Sequence, residues 1–233
     1  SDSNVFSCGN HGLVCGDATF IVDSLQLSDH SLLNFSHLII DATTSVNVDS
    51  TSAISATGRG YSLVNYPTER DAFVGITSFL GSQGGSHAGV GGVGYASSRD
   101  ADKRIMASND GNERSAFNSF DNSFEWGLPG GSGNDLNSEQ RSVGGGAISI
   151  SAPLVNIDGS LETNGLSPEN SAAGGGAGGS LLCNVQTLTG SGTISSFGGN
   201  GGQHSFSTVA YGGGGGGGRI KMVVTVSHAF TCS

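Results

Sequence analysis

Apolar residues in the early part of the chain come in short, alternating runs. Phe20 and Val22 are followed by Leu25 and Leu27, then Leu32–Leu33, Leu38–Ile40, Val46 with Val48, and Ala53–Ile54. A period of two places every second side chain on one face of an extended strand. None of these runs is long enough for a helix, and Asp, Ser, Asn or Thr interrupts them every few residues. Tight hairpins would need Asn-Gly or Asp-Gly pairs at the breaks. Single polar residues stand there instead, as at the corners of a coiled stack of strands.

The pattern then repeats. Val46-Asn47-Val48-Asp49, followed by Ala53 to Gly58, parallels Val155-Asn156-Ile157-Asp158-Gly159, followed by Ser160 to Gly165. A third copy runs from Thr187 to Gly192 and on from Thr193 to Gly198. A glycine run and a strand precede the second and third copies (Ala147–Ile150 and Ser180–Cys183), and a last strand, Arg219–Val224, follows the seven glycines Gly212–Gly218. Units that cannot bury an apolar face alone must stack, which predicts the side-chain ladders Ile148/Leu181/Ile220 and Leu161/Ile194. The expected fold is all-β: a right-handed parallel β-helix, or solenoid, forming a single domain over residues 18–233. Residues 1–17 are expected to be an N-terminal disulfide-loop cap. Between the first and second copies, residues 61–143 form a long excursion that carries Tyr61, Tyr66, Phe73, Phe79, Tyr95, Phe117, Phe120, Phe124 and Trp126. Its aromatics are expected against the side of the solenoid, with Ser98–Ser115 as a mobile loop.

Glycine changes this picture most. There are 41 glycines against 4 prolines, far above the usual share of about 7%, and each would cost a helix interior roughly 1 kcal/mol relative to alanine. The runs are either flexible loops or extended segments packed side by side in polyglycine-II-like layers. Their recurrence at equivalent places in each unit favours the layers.

Charge and cysteine content narrow the function. The net charge is −10, and Lys103 and Lys221 are the only lysines, which argues against nucleic acid or an anionic membrane as partner. No apolar run approaches the roughly 20 residues of a membrane span. The chain begins with Ser1 rather than methionine, as expected of a processed or excised chain. Four cysteines, Cys8, Cys15, Cys183 and Cys232, predict two disulfides and an oxidising compartment. Cys8 with Cys15 would close a small loop and Cys183 with Cys232 would tie the last unit to the tail, though three pairings are open. Spacing of the CxxC type, which zinc would require, is absent. Asn34-Phe35-Ser36 is the one N-glycosylation sequon.

Several glycine blocks occur in a fixed order: Gly84–Gly92, then Phe120–Gly131, Gly144–Ile148, Gly174–Ser180 and Gly212–Ile220. In this order the chain resembles the glycine-rich parallel β-helix modules of large secreted and cell-surface proteins, over about residues 38–225. The resemblance implies extracellular scaffolding, adhesion or fibre formation, and it supplies no catalytic residues. The Phe120–Trp126 segment departs from the family pattern, which more often has a Tyr-Gly and Pro-containing version there.

Candidate chemistry is sparse. Gly89-Val90-Gly91-Gly92-Val93-Gly94 matches GxGxxG, but glycines and serines precede it and no helical pattern follows, as a dinucleotide site would need. Asp23, Asp41, Asp49 and Asp158 lie in or beside strands, and Asp49 and Asp158 share a repeat position. They are expected at corners, accepting backbone hydrogen bonds; a calcium site there, or at Asp100, Asp102, Asp110 and Glu113, is the weaker reading. His11, His30, His37, His87, His204 and His228 show no HxH or HExxH pairing and are expected in individual surface or corner roles. No catalytic, cofactor-binding or metal-ligating residue is assigned, and no cofactor is expected. The sequence points to a non-enzymatic extracellular structural protein. It would be a subunit or module of a surface fibre, coat or flagellar-hair-like appendage, with itself, other extracellular structural proteins and a glycan as partners. The alternatives are a carbohydrate-active β-helix lyase or hydrolase, and a carbohydrate- or ice-binding adhesin module.

Overall fold

A computed structural model describes residues 5–7, 16–60, 84–92, 94–97, 104–106, 127, 142–168, 173–205 and 209–231. These residues form strands and connections, with no helix among them. The long strands are β2 (Ala18–Leu27), β4 (His37–Val48), β8 (Ala147–Ile157), β10 (Ser180–Gly190) and β14 (Arg219–Phe230). The short ones are β1 (Val5–Ser7), β3 (Leu32–Asn34), β5 (Ala53–Ser55), β9 (Ser160–Glu162) and β11 (Thr193–Ser195). Long strands pair only with long ones, in the order β14-β10-β8-β4-β2, and short with short, in the order β1-β3-β5-β9-β11. Every pairing in these two sheets is parallel. The chain therefore alternates between sheets, each passage adding one long and one short strand, here called a rung. The rungs are β2 with β3, β4 with β5, β8 with β9, and β10 with β11. That leaves β1 beside β3 at one end and β14 beside β10 at the other.

The expected ladders are present. Ile148, Leu181 and Ile220 are register partners, as are Leu161 and Ile194. The inward rows continue as Phe20/Ile40/Ile150/Cys183/Met222 and, on either side of the register shift between β4 and β8, as Val22/Ala42 and Ala152/Val185/Val224, and their central members form the buried core. Each long strand bends near its middle, where the register shifts at Asp23, at Thr43–Thr44 and at Thr225–Val226, beside Pro153 and Gln186.

A rung is missing from the sequence-level repeat, namely β2 with β3. Its turn has no glycine: Asp29 and His30 take the left-handed conformation themselves, at φ 55 and 62°. The next rung supports that turn, with Asp29 N donating to Asp49 Oδ2 at 3.2 Å and His30 N to Thr51 Oγ1 at 3.0 Å. β1 lies inside the stretch expected to be a cap, and it extends the short-strand sheet.

A second body of backbone lies between the strands, made of the glycine-rich segments 56–60, 84–92, 142–146, 163–168, 173–179, 196–202 and 212–218. Their amide donors are spaced three apart. Gly175 and Gly178 donate to the carbonyls of Gly213 and Gly216; Gly176 and Gly179 donate to Leu166 and Thr163; Gly212, Gly215 and Gly218 donate to Gly202, Gly199 and Ser196. Burial follows the same step: Gly213, Gly216 and Arg219 are buried, as are Ser196, Gly199 and Gly202, while residues between them are more exposed. The period is that of a threefold extended helix rather than a strand's two. Segment 173–179 is buried throughout. Here glycine is required by space. A Cβ on Gly179 would sit 1.8 Å from the Gly146 carbonyl oxygen, and one on Gly175 2.0 Å from that of Gly199.

Within the excursion, β6 (Tyr95–Ser97) and β7 (Arg104–Met106) pair antiparallel. With β12 (Gln203–Ser205) and β13 (Val209–Tyr211) they form a third sheet, ordered β12-β13-β6-β7. The segment expected to be a mobile loop thus contributes β7. The aromatic positions Tyr61, Tyr66, Phe73, Phe79, Phe117, Phe120, Phe124 and Trp126 lie outside the described residues.

Candidate functional site

The corner after each long strand is a small polar network. Asn156 Nδ2 donates to Asn47 Oδ1 at 3.0 Å and to Asp158 Oδ2 at 2.9 Å, and Thr189 Oγ1 donates to Asn156 Oδ1 at 2.9 Å. Asp158 Oδ1 accepts from Ser191 N at 3.1 Å, one repeat of 33 residues on. Asp49 Oδ1 accepts from Thr51 N at 2.9 Å and Thr51 Oγ1 at 2.8 Å. Hydrogen bonding, led by the Ser52 hydroxyl, holds the Asp49 carboxyl down at about 2. The Asn156 amide, followed by the Ser191 amide, lowers that of Asp158. Both carboxylates thus fasten one rung to another, as expected of corner aspartates. Asp23 Oδ1 accepts from Thr43 Oγ1 at 3.0 Å, and Asp41 faces outward. Among the described residues no three His, Cys, Asp or Glu side chains gather as a metal site; Asp100, Asp102, Asp110 and Glu113 lie outside them. GxGxxG is followed by β6, a strand, where a dinucleotide site would need a helix.

Cys183 corrects an expectation. It is a free thiol, 1% exposed, in the inward row between Ile150 and Met222, so the expected bridge to Cys232 is not formed. Its place in the alternation Leu181, Cys183, Val185 sends the side chain into the core, and burial pushes its pKa up to about 12. Cys8, Cys15 and Cys232 lie outside the described residues. Asn34 ends β3, half-buried, and its Oδ1 accepts from Arg59 Nε at 2.9 Å. His87 departs from the expected surface role: it is fully buried in the glycine layer, with Nδ1 2.8 Å from the Gly178 carbonyl oxygen and Nε2 3.5 Å from Ser180 Oγ. A carbonyl only accepts, so Nδ1 carries a proton. His11 lies outside the described residues.

A shallow groove of about 280 Å³ follows the mid-strand bend, lined by Ser151, Pro153, Asn184, Gln186 and Thr225. It is small for a ligand pocket and holds no titratable side chain.

The two ends of the stack differ most from its middle. The inward residues Leu181 and Val185 of β10 are buried, whereas their partners in β14, Ile220 at 44% exposure and the half-exposed Val224, are open. Outward positions differ too. The row Ile21/Asp41/Ser151/Asn184/Val223 is polar inside and apolar at both ends, with Ile21 78% and Val223 38% exposed. A sequence signal marks these ends, although alternation alone overlooks it. Interior strands read Ile40-Asp41-Ala42, Ile150-Ser151-Ala152 and Cys183-Asn184-Val185, but the end strands read Phe20-Ile21-Val22 and Met222-Val223-Val224.

Compared with known protein families, with curated proteins and with solved structures, the chain gives no match. No helix among the described residues is long and apolar enough to cross a membrane.

Proposed function

We propose that the chain is a non-enzymatic, extracellular structural module that self-associates into a fibre, coat or appendage. Its fold is read as a right-handed parallel β-helix braced by a polyglycine-II-like layer, in keeping with the secreted glycine-rich modules it resembles in sequence. One observation carries the reading: inward positions that are buried in β10 are more exposed in β14, Ile220 at 44% and Met222 and Val224 half-buried, so the last strand offers a partly open apolar row and a backbone edge of the kind that templates association. Asp49, accepting from Asp29 N, and Asp158, accepting from Ser191 N, are engaged in holding rungs together, which favours structure over glycoside chemistry. The outward rows mix Ile39, Ser149, Leu182 and Lys221 rather than presenting a regular Thr array, which favours it over ice binding.

Sedimentation velocity across a wide concentration range, with electron microscopy of the same samples, tests the reading. Concentration-dependent growth into rods is expected; a monomer at every concentration overturns it. Secreted eukaryotic expression tests the compartment, since glycosidase treatment should shift the mass of the peptide bearing Asn34.

A further inference from the structure

We infer that copies of this chain join head to tail, each joint being one rung built half from each copy. This rests on the self-association reading above and names its partner, a second copy, and its geometry.

The geometry starts from the two unpaired half-rungs. Among the described residues β1 is a short strand with no long strand in its rung, beside β3 at one end. Among the described residues β14 is a long strand with no short strand in its rung, beside β10 at the other. Among the described residues, the outer neighbour that β11 lacks is a short strand and the outer neighbour that β2 lacks is a long one. A second copy translated along the stack supplies both: its β1 falls on β11, and β14 of the first copy falls on its β2. Because all pairings are parallel, no strand need reverse.

Register supports the joint. Carried through the ladders, Thr193, Ile194 and Ser195 meet Val5, Phe6 and Ser7 of the second copy. Ile220, Met222 and Val224 meet Ala18, Phe20 and Val22 of the second copy, and Phe230 meets its Leu27. At the bend β14 has two unpaired residues, Thr225 and Val226, against Asp23 alone in β2. That one-residue mismatch already exists between β4 and β2 within the chain. The outward row gives an independent observation: Val223 comes beside Ile21 of the second copy, bringing together the two apolar residues that end an otherwise polar row. Two different surfaces meeting in this way make a heterologous contact, which propagates into a filament rather than closing a dimer.

The test uses the 233-residue chain and two variants at exposed positions, Ile21→Asp and Val223→Asp, with circular dichroism melts to check folding. Each variant alone is expected to weaken self-association by more than about tenfold and to stop growth. Mixed together, they are expected to give 1:1 dimers and nothing longer, because each keeps one intact end. Assembly that survives both substitutions overturns the joint while leaving the self-association reading standing. So does a single variant that still forms dimers alone, the sign of a twofold contact. A wild-type chain that remains monomeric overturns both. Should either Asp variant misfold, Ile21→Cys mixed with Val223→Cys takes its place. Peptide mapping should then find disulfides joining position 21 to position 223, and links only between like positions refute the head-to-tail order.

Discussion

Gly145→Ala probes the glycine layer most directly. Gly145 N donates to the Ala177 carbonyl at 2.8 Å, and its own carbonyl accepts from Gly127 N at 2.8 Å. A Cβ there would lie 1.9 Å from the Thr163 carbonyl oxygen and 2.5 Å from Gly179 N. Those two atoms are hydrogen-bonded to each other at 2.6 Å, so the added methyl would sit in the path of an existing bond. Ordinary contact begins at 3.4 Å, and the segments would have to part by about 1.5 Å, beyond the reach of all three hydrogen bonds. At about 1 kcal/mol net for each bond, with a further penalty for any buried group left unpaired, the loss is about 3 kcal/mol or more. For a domain of this size that lowers Tm by about 6–12 °C. Gly217→Ala is the control: a Cβ there meets nothing within 4 Å and its φ is outside the left-handed range. Alanine at 217 should be neutral or stabilising by up to about 1 kcal/mol, through the entropy of the unfolded chain. Thermal melts of both variants at one low concentration measure the difference. If Gly145→Ala and Gly217→Ala melt together, the layer is not packed backbone, and the period-three hydrogen bonding has no energetic meaning.

Three further outcomes are expected. Ile54→Ala removes a fully buried side chain from the row Leu33/Ile54/Leu161 and should cost about 2–5 kcal/mol in denaturant unfolding, whereas Ile21→Ala, measured where the chain is monomeric, should stay within about 0.5 kcal/mol. Cys183 should resist alkylation at pH 8 in the native chain and react once the chain is unfolded in guanidinium; peptide-mapped labelling checks this, and rapid native labelling would contradict the buried thiol. Asp49 has a folded pKa of about 2, below its ordinary 3.8, so between those values the unfolded state binds more protons and stability rises with pH. Its contribution is complete above about pH 4 and lost as pH falls toward 2, so the stability curves of wild type and Asp49→Asn should converge at the acid end; a constant gap down to pH 2 would refute the assignment.

Much of the frame is legible in the sequence because it depends on local rules. Alternation places Ile148, Leu181 and Ile220 in one row, and the shared position of Asp49 and Asp158 marks the corner. What escapes depends on distant partners. The β2–β3 rung escapes because Asp29 and His30 make a turn that glycine usually makes, stabilised by Asp49 and Thr51 about 20 residues away. Cys183 illustrates a conflict between two signals. Its alternation with Leu181 and Val185 indicates the core, while an even cysteine count indicates a disulfide, and the packing rule prevails because the inward row continues through that position. His87 lies among glycines with no periodicity to show which way it points. Only the fold reveals that Gly178 and Ser180 flank it.

The two backbone lattices together bear on the proposed head-to-tail joint. In the glycine layer each segment is hydrogen-bonded to neighbours on several sides, and segment 173–179 is buried along its whole length. In the two parallel sheets every ladder instead runs along the stack, so among the described residues their outermost strands are β2 and β14 and β1 and β11. One outward row follows the same division: in Ile21/Asp41/Ser151/Asn184/Val223 the interior positions are polar and the two apolar ones fall on the terminal strands. Edge strands that must stay single usually carry a charge or a bulge to discourage pairing. β14 has Lys221 facing outward and a bulge at Thr225–Val226, yet the bulge matches a step already accommodated between β2 and β4. In the proposed head-to-tail joint it would select the partner's register instead of blocking the edge.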